Sequence, residues 1–562
     1  MIKTIKFKFG THQTQAPLSM DVTPITVFVG PNNSGKSKVL VEIENYCRRT
    51  RPQANDVILN QLEFVPFSLK EIESEIAKLE QIPKANETLN PGHIILGKLN
   101  PQNNQVFRAQ VNKEALVNEA QNPRNGVNQY ATFLNIYTVR MDGTNRLNLL
   151  QEQNAGDLQT TSANHLAHLF IDNGLRKEVR RIIYDAFHKY FVIDPTKIGK
   201  LRVRLSDREP TDEREEKGWE QRSIDFHKQA IEISQASDGV KAFTGIVTTI
   251  LAGDPKIALI DEPEAFLHPA LSSKLGKEVA KALQGSKKRL FVATHSASFL
   301  MGCIQSGSAL NIVRLTYNYN PPTARILPKD KILQLMRNPL LRSTGVLNGL
   351  FYESVVVTEA DSDRAFYQEI NERLLSAGDA RGIPSCLFIN AQNKQTVWEI
   401  VKPLRELGIP ALGIVDIDVL KDGGQVWNKP LEGAFIPQAS HHSLQIQRQS
   451  LMALFDSTGK DIKREGGINL LKGQDKEACE NLLVQLREYG VFVVPGGELE
   501  SWLKGLGATG HGSKWLIDMF DKMGDSPESA NYLYPTDGDV WDFIGLAKQW
   551  LSDSNRKGIP VQ

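Results

Sequence analysis

The chain has 562 residues, too many for one compact domain of ordinary size, so two to four domains are expected. Hydrophobic residues make up 41% and charged residues 23%, an ordinary globular composition. The formal net charge of +1 excludes an overall basic field, so any nucleic-acid surface must be a local patch.

Further exclusions come from particular residues. Cys47, Cys303, Cys386 and Cys479 are scattered, with no CxxC or Cys/His cluster. That argues against a zinc site and a disulfide scaffold and fits a reducing cytosol. The opening MIKTIKFKFG alternates and has no apolar core after a charged start, so it does not read as a signal peptide. No apolar run approaches the length of a membrane span. A cytoplasmic protein with no membrane partner is expected.

Strands are expected at IKTIKFKF (2–9), which alternates, and at ITVFVG (25–30), a continuous apolar run suited to burial. From about 40 to 235 the text is amphipathic and polar, and about 55–200 reads as a largely helical insertion. KEIESEIAKLEQI (70–82) has helical spacing. NPQNNQ (100–105) and NEAQNPRNGVNQ (118–129) read as loops. KLRVRLSD (200–207) has a strand pattern, and REPTDEREEKGWEQRS after it reads as a solvated loop or hairpin. Strands return at KIALIDEPE (256–264) and RLFVATHS (289–296), and 306–350, with NYNPPTAR, reads as an irregular connector. Four more strands follow: SVVVTEA (354–360), CLFIN (386–390), ALGIVDID (411–418) and VFVVP (491–495). Helical stretches such as DRAFYQEINERLL separate them, which implies a parallel sheet with ligands at its carboxyl edge. The fold class is α/β, with an expected nucleotide-binding domain over 1–345, a second α/β domain over 350–505 and a helical C-terminal region over 506–562.

GPNNSGKS matches the phosphate-binding pattern G-x-x-x-x-G-K-[ST]. Gly30 and Gly35 let the backbone wrap a phosphate, with Asn32, Asn33 and Ser34 supplying the N–H groups between them. Lys36 would reach the β and γ phosphates of ATP and Ser37 would ligate Mg²⁺. Asp261, at the end of IALID, is placed to hold the same Mg²⁺, and Glu262 to orient or deprotonate the attacking water. His295, at a third strand end, reads as a γ-phosphate sensor.

This spacing resembles the ATP-binding cassette (ABC) ATPases, in the branch that includes RecF, SMC and the OLD (overcoming lysogenization defect) nucleases. SDGVKAF (237–243) lies where that family has its signature motif, with Ser237 and Gly239 matching S-x-G. A plain helix N-cap is the competing explanation. The resemblance implies that these residues bind ATP held by a second subunit, hence a homodimer or higher even oligomer, and assigns the insertion to dimerisation.

A second group of residues carries different chemistry. Glu359 ends one apolar strand, Asp361 and Asp363 follow it, Asp416 and Asp418 end another, and Glu498 and Glu500 lie after a third. Carboxylates gathered at one sheet edge repel one another unless cations neutralise them, and such oxygen donors suit Mg²⁺ or Mn²⁺. Two such ions can activate water and stabilise the leaving oxygen of a phosphodiester. A Glu after one strand and D-x-D after a later one resembles the Toprim domain, although Ala360 stands where many such motifs have glycine. The resemblance makes Glu359 the first ligand or base, Asp416 and Asp418 the paired ligands, and Asp363 with Glu500 or Glu498 the holders of an additional metal. Asp361 reads equally well as a helix cap. Lys394 and Lys514 are both candidates for the lysine that OLD enzymes place near the metals.

The order of ATPase, insertion and Toprim is the OLD layout. It implies an ATP-hydrolysing, metal-dependent DNA endonuclease, acting in bacterial defence against phage, alone or with a partner protein or nucleic acid of a defence system. A RecF- or SMC-like DNA clamp without nuclease activity and a nucleotide-sensing scaffold are the rival expectations.

Overall fold

The computed structural model describes every residue except 13–14, 85, 101–104, 160–163, 318–320, 344 and 561–562. Its contacts divide the chain into two units, Met1–Lys329 and Asp330–Gln562.

The first unit is built on a six-stranded sheet. Its spatial order is Thr323–Leu327, Leu310–Thr316, Ile25–Val29, Arg289–Ala293, Ile257–Asp261, Thr138–Met141. All neighbours pair in parallel except the outermost, Thr323–Leu327. The central strands are near-continuous Ile, Val, Leu and Phe because both faces of such a sheet are covered. Register matters more than composition for the site. Asp261 lies opposite Ala293, and Ala293 opposite Phe28, so three carboxyl ends finish level.

Several sequence expectations need correcting here. The stretch 306–350 is not a plain connector, because Leu310–Thr316 pairs with Ile25–Val29 inside the main sheet. Asn311 and Arg314 interrupt its apolar run and disguise it as irregular text, although Ile312, Val313 and Leu315 are fully buried. Residues 318–320 of NYNPPTAR lie outside the described residues, and Thr323–Leu327 is a strand.

The insertion carries helices and also two small antiparallel sheets. One contains Glu80–Gln81, His93–Asn100 and Gln105–Asn112; the other is centred on Lys200–Ser206. KEIESEIAKLEQI forms helix Leu69–Leu79, opened by a Ser68/Glu71 capping box. Residues 101–104 of NPQNNQ lie outside the described residues. NEAQNPRNGVNQ begins in helix Lys113–Gln121 and ends in helix Asn128–Tyr137, so only its middle is a loop. REPTDEREEKGWEQRS is not solvated throughout, since it contains helix Glu213–Lys217 and enters Gln221–Gln229. Glu216 is buried there between Arg176 (3.1 Å) and Arg180 (2.7 Å), a pairing that sequence-local charge counting cannot see.

The second unit has a four-stranded parallel sheet in the order Cys386–Asn390, Ser354–Thr358, Ala411–Val415, Val491–Val493. Thr358 lies opposite Ile414, and Val415 opposite Val493. The residues just past these ends therefore meet at one edge. Helices Ser513–Met523 and Asp539–Ser552 pack Trp515, Met519, Trp541 and Ile544 into one core with Val356, Phe366 and Phe492.

Arg405 ties this unit together. It is fully buried and donates to the carbonyls of Ala411 (2.7 Å), Ala434 (2.8 Å), Tyr489 (2.9 Å) and Gly558 (3.0 Å). Its guanidinium also lies over the Trp550 ring. Arg405→Met would leave four carbonyls without that donor, and is expected to destabilise the unit by about 3 kcal/mol or more in urea unfolding. A change below about 1 kcal/mol would remove the residue from that role. Among the described residues, no helix is long and apolar enough to cross a membrane.

Candidate nucleotide and metal sites

The phosphate loop joins strand Ile25–Val29 to helix Lys36–Arg49. Gly30 has φ 146°, and a Cβ there would lie 2.3 Å from the Leu315 carbonyl oxygen, so only glycine fits. Asn32 and Asn33 are exposed, Asn33 at φ 58°, while Ser34 is buried. Lys36 is buried, and its ammonium donates to the carbonyls of Gly30 (2.9 Å) and Pro31 (2.6 Å). Burial lowers its pKa to about 8, against the opposing pull of Glu262.

The level strand ends bring the partners in. Ser37 Oγ donates to Asp261 Oδ1 at 2.9 Å, so two hard oxygen donors meet at a helix N-terminus, a fit for Mg²⁺. Burial raises the Asp261 pKa, the Ser37 hydrogen bond opposes the rise, and the neighbouring Glu262 carboxylate adds to it. Glu262 turns away at φ 50° and leaves its side chain half exposed. His295 Nε2 stands 3.8 Å from Glu262 Oε1, and the His295 N–H donates to Glu264 Oε1 at 2.7 Å. Burial, helped by Lys36, lowers the His295 pKa and favours the neutral imidazole.

Sequence reading missed Arg146. It is buried and donates to the main-chain oxygens of Asp261 (3.1 Å) and Glu262, fixing the turn that aims both carboxylates. Nothing in NRLN advertises this. Ser237 and Gly239 lie on another element, the start of helix Asp238–Ala252, where a Cβ on Gly239 would meet the Phe266 carbonyl oxygen at 2.6 Å. Ser237 makes no side-chain capping bond there, so the plain-cap explanation is not what the side chain does.

In the second unit the sheet edge gathers carboxylates. Oxygens of Glu359, Asp416 and Asp418 lie within 4.8 Å of one another. Glu359 Oε1 accepts from the Asp416 N–H at 2.9 Å. Asp363, in the first turn of helix Asp361–Ser376, accepts from the Ala360 N–H at 2.9 Å, while Asp361 pairs with Arg364 at 2.7 Å. Glu498, Glu500 and His511 form a second close group. Glu500 Oε1 lies 2.7 Å from His511 Nδ1 and accepts from the Gly512 N–H at 2.7 Å. Asp418 Oδ1 and Glu498 Oε2 are buried without a hydrogen-bond donor, which suits groups that await a cation.

Two lysines face these carboxylates. Lys394 Nζ lies 3.2 Å from Asp418 Oδ2 and 2.9 Å from Asp422 Oδ2. Burial alone would lower its pKa, but the two aspartates outweigh it and raise it. Lys463 Nζ lies 2.7 Å from Asp416 Oδ2 and 3.9 Å from Asp418 Oδ2. Lys514, the other sequence candidate, is exposed near the start of helix Ser513–Met523. Lys463 and His511 were not legible as site residues, since neither belongs to a strand-end motif.

Burial, reinforced by Asp416, raises the Glu359 pKa to about 8 and that of Asp363 to about 7. Both exceed ordinary unfolded carboxylate values, so the folded protein holds protons there that the unfolded chain has released. The stability these groups contribute is present at low pH and is lost as pH rises through the folded values. With EDTA present, Tm is expected to fall between about pH 5 and 8, and Mg²⁺ or Glu359→Gln should flatten that slope. A slope identical in wild type and Glu359→Gln would show that the cluster does not set it.

Residues 88–301 match the family described as "AAA domain, putative AbiEii toxin, Type IV TA system". The Old nuclease of Escherichia phage P2 is 26% identical over 359 residues, covering 59% of this chain and 57% of that protein. The match thus spans little more than half of that relative's length. Among solved structures, the SMC head domain from Thermotoga maritima is 14% identical, covers 58% of this chain and 98% of its own, and has a TM-score of 0.28. The cbiO1 protein from Clostridium perfringens, described as part of the ABC transporter complex cbiONQ, is 12% identical, covers 61% and 95%, and has a TM-score of 0.27. Scores of that size add nothing to the argument from sheet order and motifs.

Sheet order, phosphate loop and strand-end carboxylates define an α/β fold of the P-loop nucleotide-binding kind. Over part of its length the chain is similar in sequence to an AAA domain family and to the Old nuclease of phage P2.

Proposed function

We propose that this protein is an ATP-hydrolysing, divalent-metal-dependent DNA endonuclease of the OLD type, with a Toprim-like nuclease site in its second unit. The observation that carries the nuclease reading is the triad of Glu359, Asp416 and Asp418, whose oxygens converge within 4.8 Å at the edge of a parallel sheet. They are hard oxygen donors, and Asp418 Oδ1 is buried without a hydrogen-bond donor, the chemistry that suits Mg²⁺ or Mn²⁺. Bound divalent ions would supply a water of lowered pKa and charge stabilisation for the leaving oxygen.

The chain's own groups do the rest. Glu359 braces the Asp416 main chain, so the first strand end fixes the second. Lys394 pins Asp418 to Asp422, keeping Asp418 in one orientation. Asp363 and the Glu498, Glu500 and His511 group are the holders of the additional metal. In the ATPase unit, Lys36 contacts the phosphates, Ser37 and Asp261 hold Mg²⁺, Glu262 orients water and His295 senses the γ-phosphate. ATP turnover and nuclease action on phage or host DNA would give the chain a place in antiviral defence.

The test is plasmid cleavage with Mg²⁺ or Mn²⁺, with and without ATP. Metal-dependent cutting is expected; its absence on every DNA substrate and nucleotide condition would replace this reading with the DNA-clamp one.

The second part of the proposal is assembly. Ser237 and Gly239 open a fifteen-residue helix whose N-terminal N–H groups can receive a phosphate from another copy. Glu262→Gln with ATP is expected to scatter light as a dimer or higher even oligomer. A strictly monomeric mass under those conditions would reject the composite site.

A further inference from the structure

Lys463 belongs to none of the motifs, yet its ammonium sits where the metal chemistry would occur. It lies 2.7 Å from Asp416 Oδ2 and 3.9 Å from Asp418 Oδ2, spanning the two paired aspartates. Its position is enforced by backbone. Gly497 is at φ 122°, and a Cβ there would lie 2.0 Å from the Lys463 carbonyl oxygen. Ile417 N–H donates to Gly497 O at 2.9 Å, and Ile468 N–H donates to Pro495 O at 3.0 Å. The Lys463 loop is thus clamped against the PGGE turn, which is itself bonded to the segment between Asp416 and Asp418.

We propose that Lys463 is a built-in counter-ion of the Asp416 and Asp418 pair, which a divalent cation must displace in order to bind. The inference rests on the metal-site reading above and deepens it. Three carboxylates within 4.8 Å need positive charge nearby, and Lys463 supplies it when no metal does. The same ammonium then competes with the incoming ion: it occupies an acceptor oxygen of Asp416, and it repels a second positive charge at short range. Lys394 differs, because it shares its charge with Asp422 and touches only Asp418 of the pair. Lys463 is therefore a positioning residue that sets metal affinity and keeps the metal-free aspartates in place.

The experiment is Mn²⁺ binding to the full chain without DNA or ATP, by calorimetry, for wild type, Asp261→Ala, Lys463→Met, Lys463→Arg and Asp416→Ala. Asp261→Ala removes a carboxylate from the P-loop metal position and serves as the background for counting sites. Lys463→Met is expected to bind Mn²⁺ at the second-unit site at least about tenfold more tightly than wild type. Lys463→Arg, which keeps the charge, should stay within about threefold. A second readout is thermal: Lys463→Met should have a lower Tm than wild type in EDTA and a larger rise in Tm on adding Mn²⁺. Lys463→Gln serves equally if the methionine variant does not fold. Unchanged or weaker Mn²⁺ binding in the neutral variants, with the site still abolished by Asp416→Ala, would overturn the counter-ion role and leave the metal site standing. If wild type and Asp416→Ala bind the same number of ions, the metal site and the inference fall together.

Discussion

Asp416→Ala is expected to reduce metal-dependent DNA cleavage by about a thousandfold or more while leaving ATP turnover within a few-fold of wild type. Asp416 is tied to three other groups of the site. Its N–H is held by Glu359, its Oδ2 pairs with Lys463, and it contributes to the raised pKa of both Glu359 and Asp363. Removing it takes away one metal donor and also frees Lys463 from its strongest partner. Losses within a shared site are not additive, so Asp416→Ala combined with Glu359→Ala should be little worse than either alone. The variant should still fold, because the change relieves like-charge repulsion at a crowded edge. Phosphate-loop residues come from other strand ends in the other unit, so ATP hydrolysis gives an internal control. Supercoiled plasmid nicking over a Mn²⁺ series measures the effect. Cleavage within tenfold of wild type at saturating Mn²⁺ would disqualify Asp416 as a ligand.

The parts of this chain that were legible share one property: they are short, local and buried. GPNNSGKS is readable because its pattern answers local demands, with glycine where φ is positive and a lysine folded back onto the loop's own carbonyls. ITVFV, IALID, SVVVT and ALGIV are readable because strands covered on both faces have little choice but Ile, Val and Leu. Acidic residues at their ends then mark the edge where ligands bind. What was missed depends on distant pairing. Leu310–Thr316 is a central strand only because it finds Ile25–Val29, far away in sequence. Glu216 is buried only because Arg176 and Arg180 reach it. Lys463 and His511 lie in glycine-rich loops whose text is that of any turn, and only the fold brings them to carboxylates. Arg146 acts through main-chain oxygens, which carry no side-chain signature at all.

Glu262→Gln is expected to leave ATP binding nearly intact and to slow hydrolysis about a hundredfold, whereas Lys36→Ala should weaken binding itself. The two effects separate because the residues meet different parts of the reaction. Lys36 is held by the carbonyls of Gly30 and Pro31 inside the loop that wraps the phosphates, so its charge is felt on binding. Glu262 sits beyond the Ser37–Asp261 contact, half exposed, on a turn that Arg146 holds at φ 50°. A positive φ at glutamate is costly, and the turn persists because the Arg146 donors and the Ala293 carbonyl fix both sides of it. Glutamine preserves the size and the turn but lacks the basicity needed to take a proton from water. His295, 3.8 Å away, is biased to the neutral form and is not a ready substitute base while Lys36 stands beside it. Phosphate release at saturating ATP reads the hydrolysis step, and fluorescent-nucleotide titration reads binding. Turnover in Glu262→Gln equal to wild type would mean that another group handles the water, with Glu264, buried and held at the His295 N–H, the next residue to replace.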